Sequence, residues 1–295
     1  MTSIGKVLVG DNYPVRVMGI INTSPESFYK ESIKTSTKEI VETAIEMQNS
    51  GADIIDIGSM STAPYLQTII SIEEEIKRMK QAINIVRKSC NLPISIDTPR
   101  SRVAKEAIAF GVNAINDITG LKYDKEMADI VSKSNLPVII GAHNRNKSLP
   151  KANLDKISGT IKLLKESITI AKRAGISDDN IIIDPSIGFF RVDGKNPFFT
   201  EMKDVPWYSR DIEVISKLNN IKKLSKPICI SVSRKSFIGK LLKLDTKDRL
   251  IPTLVCEVIS TLNGANLIRT HNVRETVQAL TMLKYLQRSL RLFSQ

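Results

Sequence analysis

The stretch PISIDTPRSRVAKEAIAFGVNAINDITG, residues 93–120, contains the repeating unit of this chain. It opens on a short run of mostly β-branched residues, Pro93–Thr98, followed by a segment with helical periodicity. Gly111 stands where that helix should end, and a second apolar run begins at Ala114. Runs that are apolar on both faces are typical of parallel strands covered by helices, so the unit predicts a parallel α/β sheet.

The same alternation extends from one end of the chain to the other. Eight runs are predicted to be strands: Arg16–Asn22, Asp53–Gly58, Pro93–Thr98, Ala114–Thr119, Pro137–Ala142, Ile181–Ser186, Lys226–Ser231 and Ala265–His271. Between them, Ser36 with Glu39 and Ser71 with Glu74 have the spacing of capping boxes at the starts of helices. Eight βα units at even spacing predict an α/β fold, a (β/α)8 TIM barrel with a single domain over residues 1–295.

Two segments depart from this rhythm. Val7–Val15 is predicted to form a short N-terminal hairpin that caps the bottom of the barrel. Phe189–Ser209 is predicted to be a long irregular loop after the sixth strand. Loops of that length are either lids and binding loops or tolerated surface insertions, and the sequence leaves both interpretations open.

Composition narrows the class of protein. No apolar stretch approaches the ~20 residues of a membrane-spanning helix, and the N-terminus lacks the pattern of a signal peptide, so a cytoplasmic protein without a membrane partner is expected. Cys90, Cys229 and Cys256 are widely separated, which predicts small core residues in place of disulfides or a zinc site. The formal net charge is +12, but the basic residues are scattered, which favours a solvated surface over a nucleic-acid partner.

Polar side chains follow nearly every predicted strand, at the end where TIM barrels place their active sites. In chain order they are Asn22, Asp97, Asn116, Asp117, His143, Asp184, Ser233, Arg234, Lys235, Arg269 and His271. Any one of them could be a helix cap or a loop staple. Their recurrence at so many strands instead predicts one shared pocket.

The residue types in this pocket divide into two sets. Asp97, Asn116 and Asp184 can accept from adjacent N–H donors, such as those on the edge of a flat heterocycle. The set suited to phosphate oxygens comprises Arg234, Lys235, Arg269 and His271. The pocket is therefore predicted to hold a donor-rich ring and an anion together.

Seven ordered motifs resemble those of the pterin-binding barrel family. They are VMGIINTSPESF (17–28), GADIIDIGSMSTAP (51–64), PISIDTPRSRVAKEA (93–107), AINDITG (114–120), IIIDPSIGF (181–189), ISVSRKSFIG (230–239) and NLIRTHNV (266–273). Within that family they are most similar to the dihydropteroate synthases. The resemblance implies a transferase that joins 6-hydroxymethyl-7,8-dihydropterin pyrophosphate to an arylamine and releases pyrophosphate, usually with Mg2+.

The resemblance also implies roles for particular residues. It places the pterin on Asp97, Asn116, Asp184 and Lys235, so that Lys235 leaves the anion set. It places pyrophosphate and the arylamine on Thr62, Ser233, Arg234, Arg269 and His271, and the metal on Asn22. Lys235, Asp97 and Arg269 are the implied catalytic residues. A homodimer that pairs through outer helices is also implied, although the sequence shows no decisive apolar patch.

Several positions depart from the family pattern. Met60 and Ala63 stand where the family has Glu and Arg. The run Tyr29-Lys30-Glu31 replaces the family's Asp-Gly-Gly, and Ser186 replaces a Gly. The strands that carry the pterin contacts are kept, whereas loops facing the second substrate differ. This pattern resembles the archaeal branch, in which the arylamine can be a ribosylated aminobenzene phosphate instead of 4-aminobenzoate.

Two alternative functions remain at this point. The same barrel serves methyltransferases that pass a methyl group from a folate-type pterin to a corrinoid protein, and Asp97, Asn116 and Asp184 would suit either reaction. The run SRKSFIG (233–239), together with Arg269 and His271, favours the synthase, because methyl transfer involves no pyrophosphate. A non-catalytic basic nucleic-acid-binding protein would leave the polar strand ends unexplained.

Overall fold

A computed structural model describes residues 1–27, 29–144, 156–202 and 206–293. The strands are β1 (Ser3–Ile4), β2 (Val7–Leu8), β3 (Arg16–Asn22), β4 (Ile54–Gly58), β5 (Ile94–Asp97), β6 (Ala114–Asp117), β7 (Val138–Gly141), β8 (Ile181–Asp184), β9 (Phe190–Arg191), β10 (Thr200–Glu201), β11 (Cys229–Ile230) and β12 (Leu267–Thr270). The α-helices are α1 (Thr37–Asn49), α2 (Ile72–Ser89), α3 (Ser101–Ala109), α4 (Met127–Ser134), α5 (Lys156–Arg173), α6 (Trp207–Ser216), α7 (Ser236–Leu242), α8 (Leu250–Leu262) and α9 (Val273–Phe293).

The main sheet contains eight strands in the order β11-β12-β3-β4-β5-β6-β7-β8, and every pair is parallel. Its two edges meet where Ile183 of β8 forms a parallel bridge with Ile228. The backbone N–H of Ile183 donates to the carbonyl of Pro227 at 2.9 Å. The sheet is thus closed, and the predicted (β/α)8 barrel is confirmed.

The apolar core has two parts, as the barrel architecture requires. The larger lies between the sheet and the surrounding helices. The smaller fills the amino-terminal end of the barrel interior, and its buried members are Ile4, Val9, Met18, Ile54, Ala114, Ile139, Ile182, Cys229 and Leu267. Burying a side chain such as Ile4 completely stabilises the fold by about 1.5–3 kcal/mol. The carboxyl end of the barrel interior is not filled by this apolar cluster, and polar side chains lie there instead.

The N-terminal hairpin closes the bottom of the barrel, but it begins earlier than predicted. β1 and β2 pair antiparallel, with Ser3 opposite Leu8, and Gly5 turns the chain between them at a φ of +57°. The segment predicted as a hairpin, Val7–Val15, instead supplies only its second strand before the chain enters β3. The turn was misplaced because Gly5, which is suited to a left-handed φ, was not used as its signal.

The predicted helix caps are present in full at α1 and in part at α2. The hydroxyl of Ser36 accepts from the N–H of Glu39, whose carboxylate accepts in return from the backbone of Ser36. The hydroxyl of Ser71 likewise accepts from the N–H of Glu74. The carboxylate of Glu74 does not return the bond, because it accepts from Nε of Arg78 at 2.8 Å.

The long segment after β8 folds back against the loop that follows β4. Within it, β9 pairs parallel with β10. Nδ2 of Asn196 donates to the carbonyl of Ala63 at 2.7 Å, and the backbone N–H of Lys195 donates to the carbonyl of Pro64 at 2.7 Å. Helix α6 begins at Trp207, inside the predicted loop, and residues 203–205 lie outside the described part of the chain.

The three cysteines are free thiols in or near the core, as predicted. Cys90 and Cys229 are buried and Cys256 is partly exposed. No helix among the described residues has the length and apolar character needed to cross a bilayer.

Candidate active site

A pocket opens at the carboxyl ends of the barrel strands. It brings together most of the residues singled out from the sequence: Asn22, Thr62, Asp97, Asn116, Asp184, Lys235, Arg269 and His271. They come from β3, β5, β6, β8 and β12 and from the loops after β4, β11 and β12. The convergence follows from barrel closure, because parallel strands present all their carboxyl ends on one face.

An ionic network forms the floor of the pocket. Nε of Arg269 lies 2.6 Å from Oδ2 of Asp56, and its Nη2 lies 2.7 Å from Oδ2 of Asp97. Nδ2 of Asn116, which neighbours Asp97 in the sheet register, donates to Oδ2 of Asp56 at 3.2 Å. The second oxygens, Oδ1 of Asp56 and Oδ1 of Asp97, are buried and accept no hydrogen bond within the described residues. Asp56 is fully buried and does not line the pocket, whereas Asp97 does, so the free oxygen of Asp97 is the acceptor left for an N–H donor of a ligand.

Asp56 bonds Arg269 and Asn116, two residues that line the pocket, and the strand-end criterion missed it. It lies in the middle of β4, opposite Ile20 on one side and Ser95 on the other, and it is fully buried. The signal for it was a carboxylate inside an otherwise apolar strand, DIIDIG. A buried carboxylate in a barrel strand requires a partner, so its position predicted a cation or a ligand in the barrel interior.

Asp184 and Lys235 form the opposite side of the pocket. Oδ1 of Asp184 accepts the backbone N–H of Ser186 at 2.6 Å. Nζ of Lys235 lies 4.3 Å from the centroid of the Phe189 ring and makes no hydrogen bond or ion pair among the described residues. Its side chain passes Gly188 so closely that an added Cβ there would lie 3.0 Å from Cδ of Lys235. Gly188 thus allows the ammonium group to reach the pocket with its donors free.

Protonation in the pocket is set mainly by desolvation. Burial raises the pKa of Asp97 to about 7, against the opposing effect of Arg269. Burial also raises the pKa of Asp184. Burial and the nearby Arg269 lower the pKa of Lys235 to about 8. The carboxylate of Asp97 and the ammonium of Lys235 are therefore both close to titration near neutral pH.

His271 is neutral in this environment. Burial, together with the cations Arg269 and Lys235, lowers its pKa to about 3. Its Nδ1 has no hydrogen-bond partner in the described structure, and its ring packs edge-on against Tyr29 with centroids 5.4 Å apart. A neutral imidazole offers one donor and one acceptor, so His271 can bind a ligand oxygen by a hydrogen bond but supplies no positive charge.

The structure does not bring Arg234 or Ser233 to the pocket wall. Nη1 of Arg234 donates to the carbonyls of Thr246 and Lys247, and its Nε donates to Oδ1 of Asn272. Arg234 adopts a left-handed φ of +52°, in the turn that precedes Lys235. Ser233 accepts the backbone N–H of His271 at 3.2 Å. Both residues hold neighbouring segments in place, the role that a charged turn has in most proteins.

Asp117 is a loop staple and not a pocket residue. Its two carboxylate oxygens accept the backbone N–H groups of Thr119 and Leu121, each at 2.8 Å. Burial raises its pKa to about 6. The bonds fix the turn after β6 and leave Asn116, one residue earlier, to face the pocket.

Comparison with known proteins identifies the family. Residues 18–271 match the family of pterin binding enzymes. The chain is 39% identical over 267 residues to the dihydropteroate synthase of Clostridium beijerinckii. The aligned region covers 90% of this chain and 92% of that relative. The chain belongs to the dihydropteroate synthase family. The predicted transferase class is therefore confirmed, and the methyltransferase and nucleic-acid-binding alternatives are not supported.

Solved structures of dihydropteroate synthases share the fold over nearly the whole chain. The enzyme of Clostridium difficile, crystallised in the presence of pteroic acid, superposes with a TM-score of 0.79 at 32% identity, covering 94% of this chain and 98% of that one. The enzyme of Xanthomonas albilineans, solved with 4-aminobenzoic acid, superposes with a TM-score of 0.77 at 28% identity, with 93% of each chain covered. Family membership thus covers the barrel as a whole and not only its motifs.

Proposed function

We propose that this chain condenses 6-hydroxymethyl-7,8-dihydropterin pyrophosphate with 4-aminobenzoate and releases pyrophosphate, a step of folate synthesis. The observation that carries the proposal is the unpartnered carboxylate oxygen of Asp97, which lines the pocket together with Asn116 and Asp184. Relatives crystallised with pteroic acid and with 4-aminobenzoic acid support the same substrates.

The pterin binds across the floor of the pocket. The amino group and ring N–H groups of a pterin are donors, and they match the free oxygen of Asp97 together with the carboxylate of Asp184. The free ammonium of Lys235 is a donor for a ring acceptor on the opposite edge. In this arrangement, acceptors and a donor that come from different strands contact different edges of the flat ring. These contacts together fix the orientation of the ring.

Catalysis depends on stabilising the leaving group. The C–O bond of the substrate breaks with its electron pair passing to pyrophosphate, and the arylamine nitrogen forms a C–N bond to the methylene carbon and gives up one of its protons to the departing pyrophosphate or to solvent. The largest catalytic contribution is then the stabilisation of negative charge on pyrophosphate. In Arg269, Nη1 has only a 3.5 Å contact with Ser231 and is the donor available for this task. His271 adds a neutral hydrogen bond.

Asn22 is the residue that would hold Mg2+. It lines the pocket, and its Oδ1 accepts a single hydrogen bond, from the backbone N–H of Ser24 at 3.1 Å. The described residues contain no cluster of three or more acidic, histidine or cysteine side chains arranged for a metal. Mg2+ commonly binds through one or two protein oxygens plus substrate phosphates and water, so a single amide oxygen fits an ion that arrives with pyrophosphate. When bound, it would neutralise part of the leaving-group charge.

A homodimer and a cytoplasmic location complete the proposal. Along α8, the side chains of Ile251, Val255, Ile259 and Leu262 are 75%, 57%, 39% and 50% exposed. Their spacing places them on one face of the helix. Contiguous exposed apolar surface marks an interaction site, and a second copy of this chain is the partner that this outer helix supports.

A pyrophosphate-release assay tests the proposed reaction. The wild-type enzyme is given the pterin pyrophosphate with Mg2+ and either 4-aminobenzoate, its ribosylated phosphate analogue, or no arylamine. We expect release with 4-aminobenzoate and none without an arylamine. Release only with the ribosylated compound would reassign the second substrate, and no release with either would refute the synthase function.

A further inference from the structure

Arg191 is a buried cation without a carboxylate partner. It lies in β9, its side chain is 9% exposed, and its guanidinium carbon sits 3.8 Å from the ring centroid of Trp207 and 4.8 Å from that of Tyr65. Nε donates to the carbonyl of Gly188 at 3.3 Å. Among the described residues, no carboxylate lies within ion-pair distance of it. An unpaired buried charge costs stability, so folding alone does not explain why a cation is held there.

The guanidinium reaches the pocket wall through Ser236. Nη2 of Arg191 donates to Oγ of Ser236, and Ser236, Tyr65 and Gly188 all line the pocket. A hydroxyl that accepts from a guanidinium still has its own proton to donate. The Ser236 proton has no acceptor within the described structure. The wall therefore presents a donor whose orientation is set by Arg191 and which has a positive charge directly behind it.

The surroundings of this donor suit an aromatic acid. Phe189 and Tyr65 both line the pocket and provide aromatic rings, and Tyr65 lies beside the guanidinium of Arg191. The loop after β4 contributes no charge there, because Met60 and Ala63 occupy its pocket-lining positions. Lys235 lies next to Phe189, on the side assigned to the pterin. A flat ring against Phe189 would direct one end towards the pterin and the other towards Ser236.

We propose that Arg191 is a positioning residue. By polarising and orienting the hydroxyl of Ser236, it makes the enzyme specific for a second substrate that carries an anionic acid group. This inference rests on the proposed function. The pyrophosphate of the first substrate is the other anion in the reaction. The aromatic residues near Ser236 favour the acid group of the arylamine over pyrophosphate as the anion bound there. The experiment distinguishes these two anions.

The test compares an acid with its neutral isostere. R191Q removes the charge but keeps a polar side chain, R191K restores the charge, and S236A removes the hydroxyl. K195Q is the matched control, because Lys195 is an exposed cation in the same loop. For each variant, KM is measured for 4-aminobenzoate, for 4-aminobenzamide and for the pterin pyrophosphate, and thermal unfolding reports on the fold.

We expect R191Q and S236A to raise KM for 4-aminobenzoate about tenfold or more, the loss typical of a charge-assisted hydrogen bond, with KM for the amide unchanged. R191K should recover most of the preference for the acid, and K195Q should match the wild type. An unchanged acid-to-amide ratio in active R191Q would overturn the inference while leaving the proposed function intact. A rise in KM only for the pterin pyrophosphate would also overturn it. Should R191Q not fold, the ratio in S236A and R191K decides.

Discussion

Arg269 and Asp97 form an ion pair that spans the mouth of the barrel: Nη2 of Arg269 on β12 lies 2.7 Å from Oδ2 of Asp97 on β5, although β3 and β4 separate those strands in the sheet. The same guanidinium bonds Asp56 on β4. One side chain thus neutralises two carboxylates and keeps a third nitrogen, Nη1, with only a 3.5 Å contact to Ser231.

Replacing Arg269 should affect the pyrophosphate-bearing substrate most. R269A removes a charged donor and leaves Asp56 and Asp97 without a counter-ion. We expect kcat/KM for the pterin pyrophosphate to fall by an amount equivalent to roughly 1.5–3 kcal/mol or more. Steady-state kinetics at saturating arylamine measures this change. A value equal to that of the wild type would remove Arg269 from the catalytic set.

Asp184 and Lys235 should be needed for pterin binding but not for folding. Both line the pocket and neither belongs to an apolar cluster. We therefore expect D184A and K235A to abolish binding of the pterin pyrophosphate in calorimetry while the thermal unfolding midpoint shifts by only a few degrees. K217A removes an exposed lysine from the end of α6 and serves as the control. Full turnover by either pocket variant would show that the site is assigned wrongly.

Pterin binding should have a narrow pH range. The ring donors require ionised Asp97, whose pKa is raised to about 7, so affinity should rise as pH increases through that value. The ammonium of Lys235 has a pKa lowered to about 8, so affinity should fall as pH increases beyond it. Titrating pterin affinity from pH 5 to 10 measures both limbs. K235R should extend the alkaline limb, because guanidinium stays charged there. A flat profile would contradict this electrostatic description.

Glu257 should make the fold less stable as pH rises. It is buried in α8, Oε2 accepts from the hydroxyl of Thr276 at 2.7 Å, and Oε1 has no partner in the described structure. Burial raises its pKa from 4.5 to about 7, so the native state binds the proton more tightly than the unfolded state. The stabilisation is complete below pH 4.5 and is lost as pH rises through about 7.

The expected loss across that window is roughly 3 kcal/mol. Urea unfolding of the wild type and of E257Q at pH 5, 6, 7 and 8 measures it. Glutamine mimics the protonated acid and does not titrate, so the difference in stability between the two proteins should change in favour of E257Q with increasing pH. A constant difference would mean that Glu257 is ionised throughout.

The apolar face of α8 should control the oligomeric state. V255E places a charge at the centre of the face formed by Ile251, Val255, Ile259 and Leu262. We expect the wild type to sediment as a dimer and V255E as a monomer with an intact fold. K217E, which changes an exposed charge at the end of α6, is the comparison. A wild-type monomer at high protein concentration would exclude the interface.

Periodicity was sufficient to predict the barrel and most of the pocket. Each of the eight predicted strands contains an observed one. Apolar strands that alternate with amphipathic helices bury their apolar surfaces as a parallel sheet covered by helices, so the pattern indicates the fold. Asp97, Asn116 and Asp184 converge because strand ends share one face. The α8 face was also readable from the spacing of Ile251 and Val255, although it was not recognised as a patch.

The residues that were missed or misplaced depend on information that strand position does not contain. Asp56 lies within a strand, and only the closure of the barrel shows that its side chain meets Arg269. Arg234 has the right chemistry for an anion, but its left-handed φ directs the side chain to the carbonyls of Thr246 and Lys247. Arg191 reaches Ser236 at the pocket wall from β9, and the position of β9 depends on tertiary contacts that the sequence pattern does not show.

The closure of the barrel bears on how such a chain can diversify. Apart from one bridge, between Ile183 and Ile228, no paired residues join β8 to β11 in the described structure. Everything between these two strands can lengthen, shorten or exchange residues while the other seven strand junctions keep their register. Apart from Asp184 and Gly188, sequence variation along this seam can therefore accumulate without disturbing the paired strands that position Asp97 and Asn116.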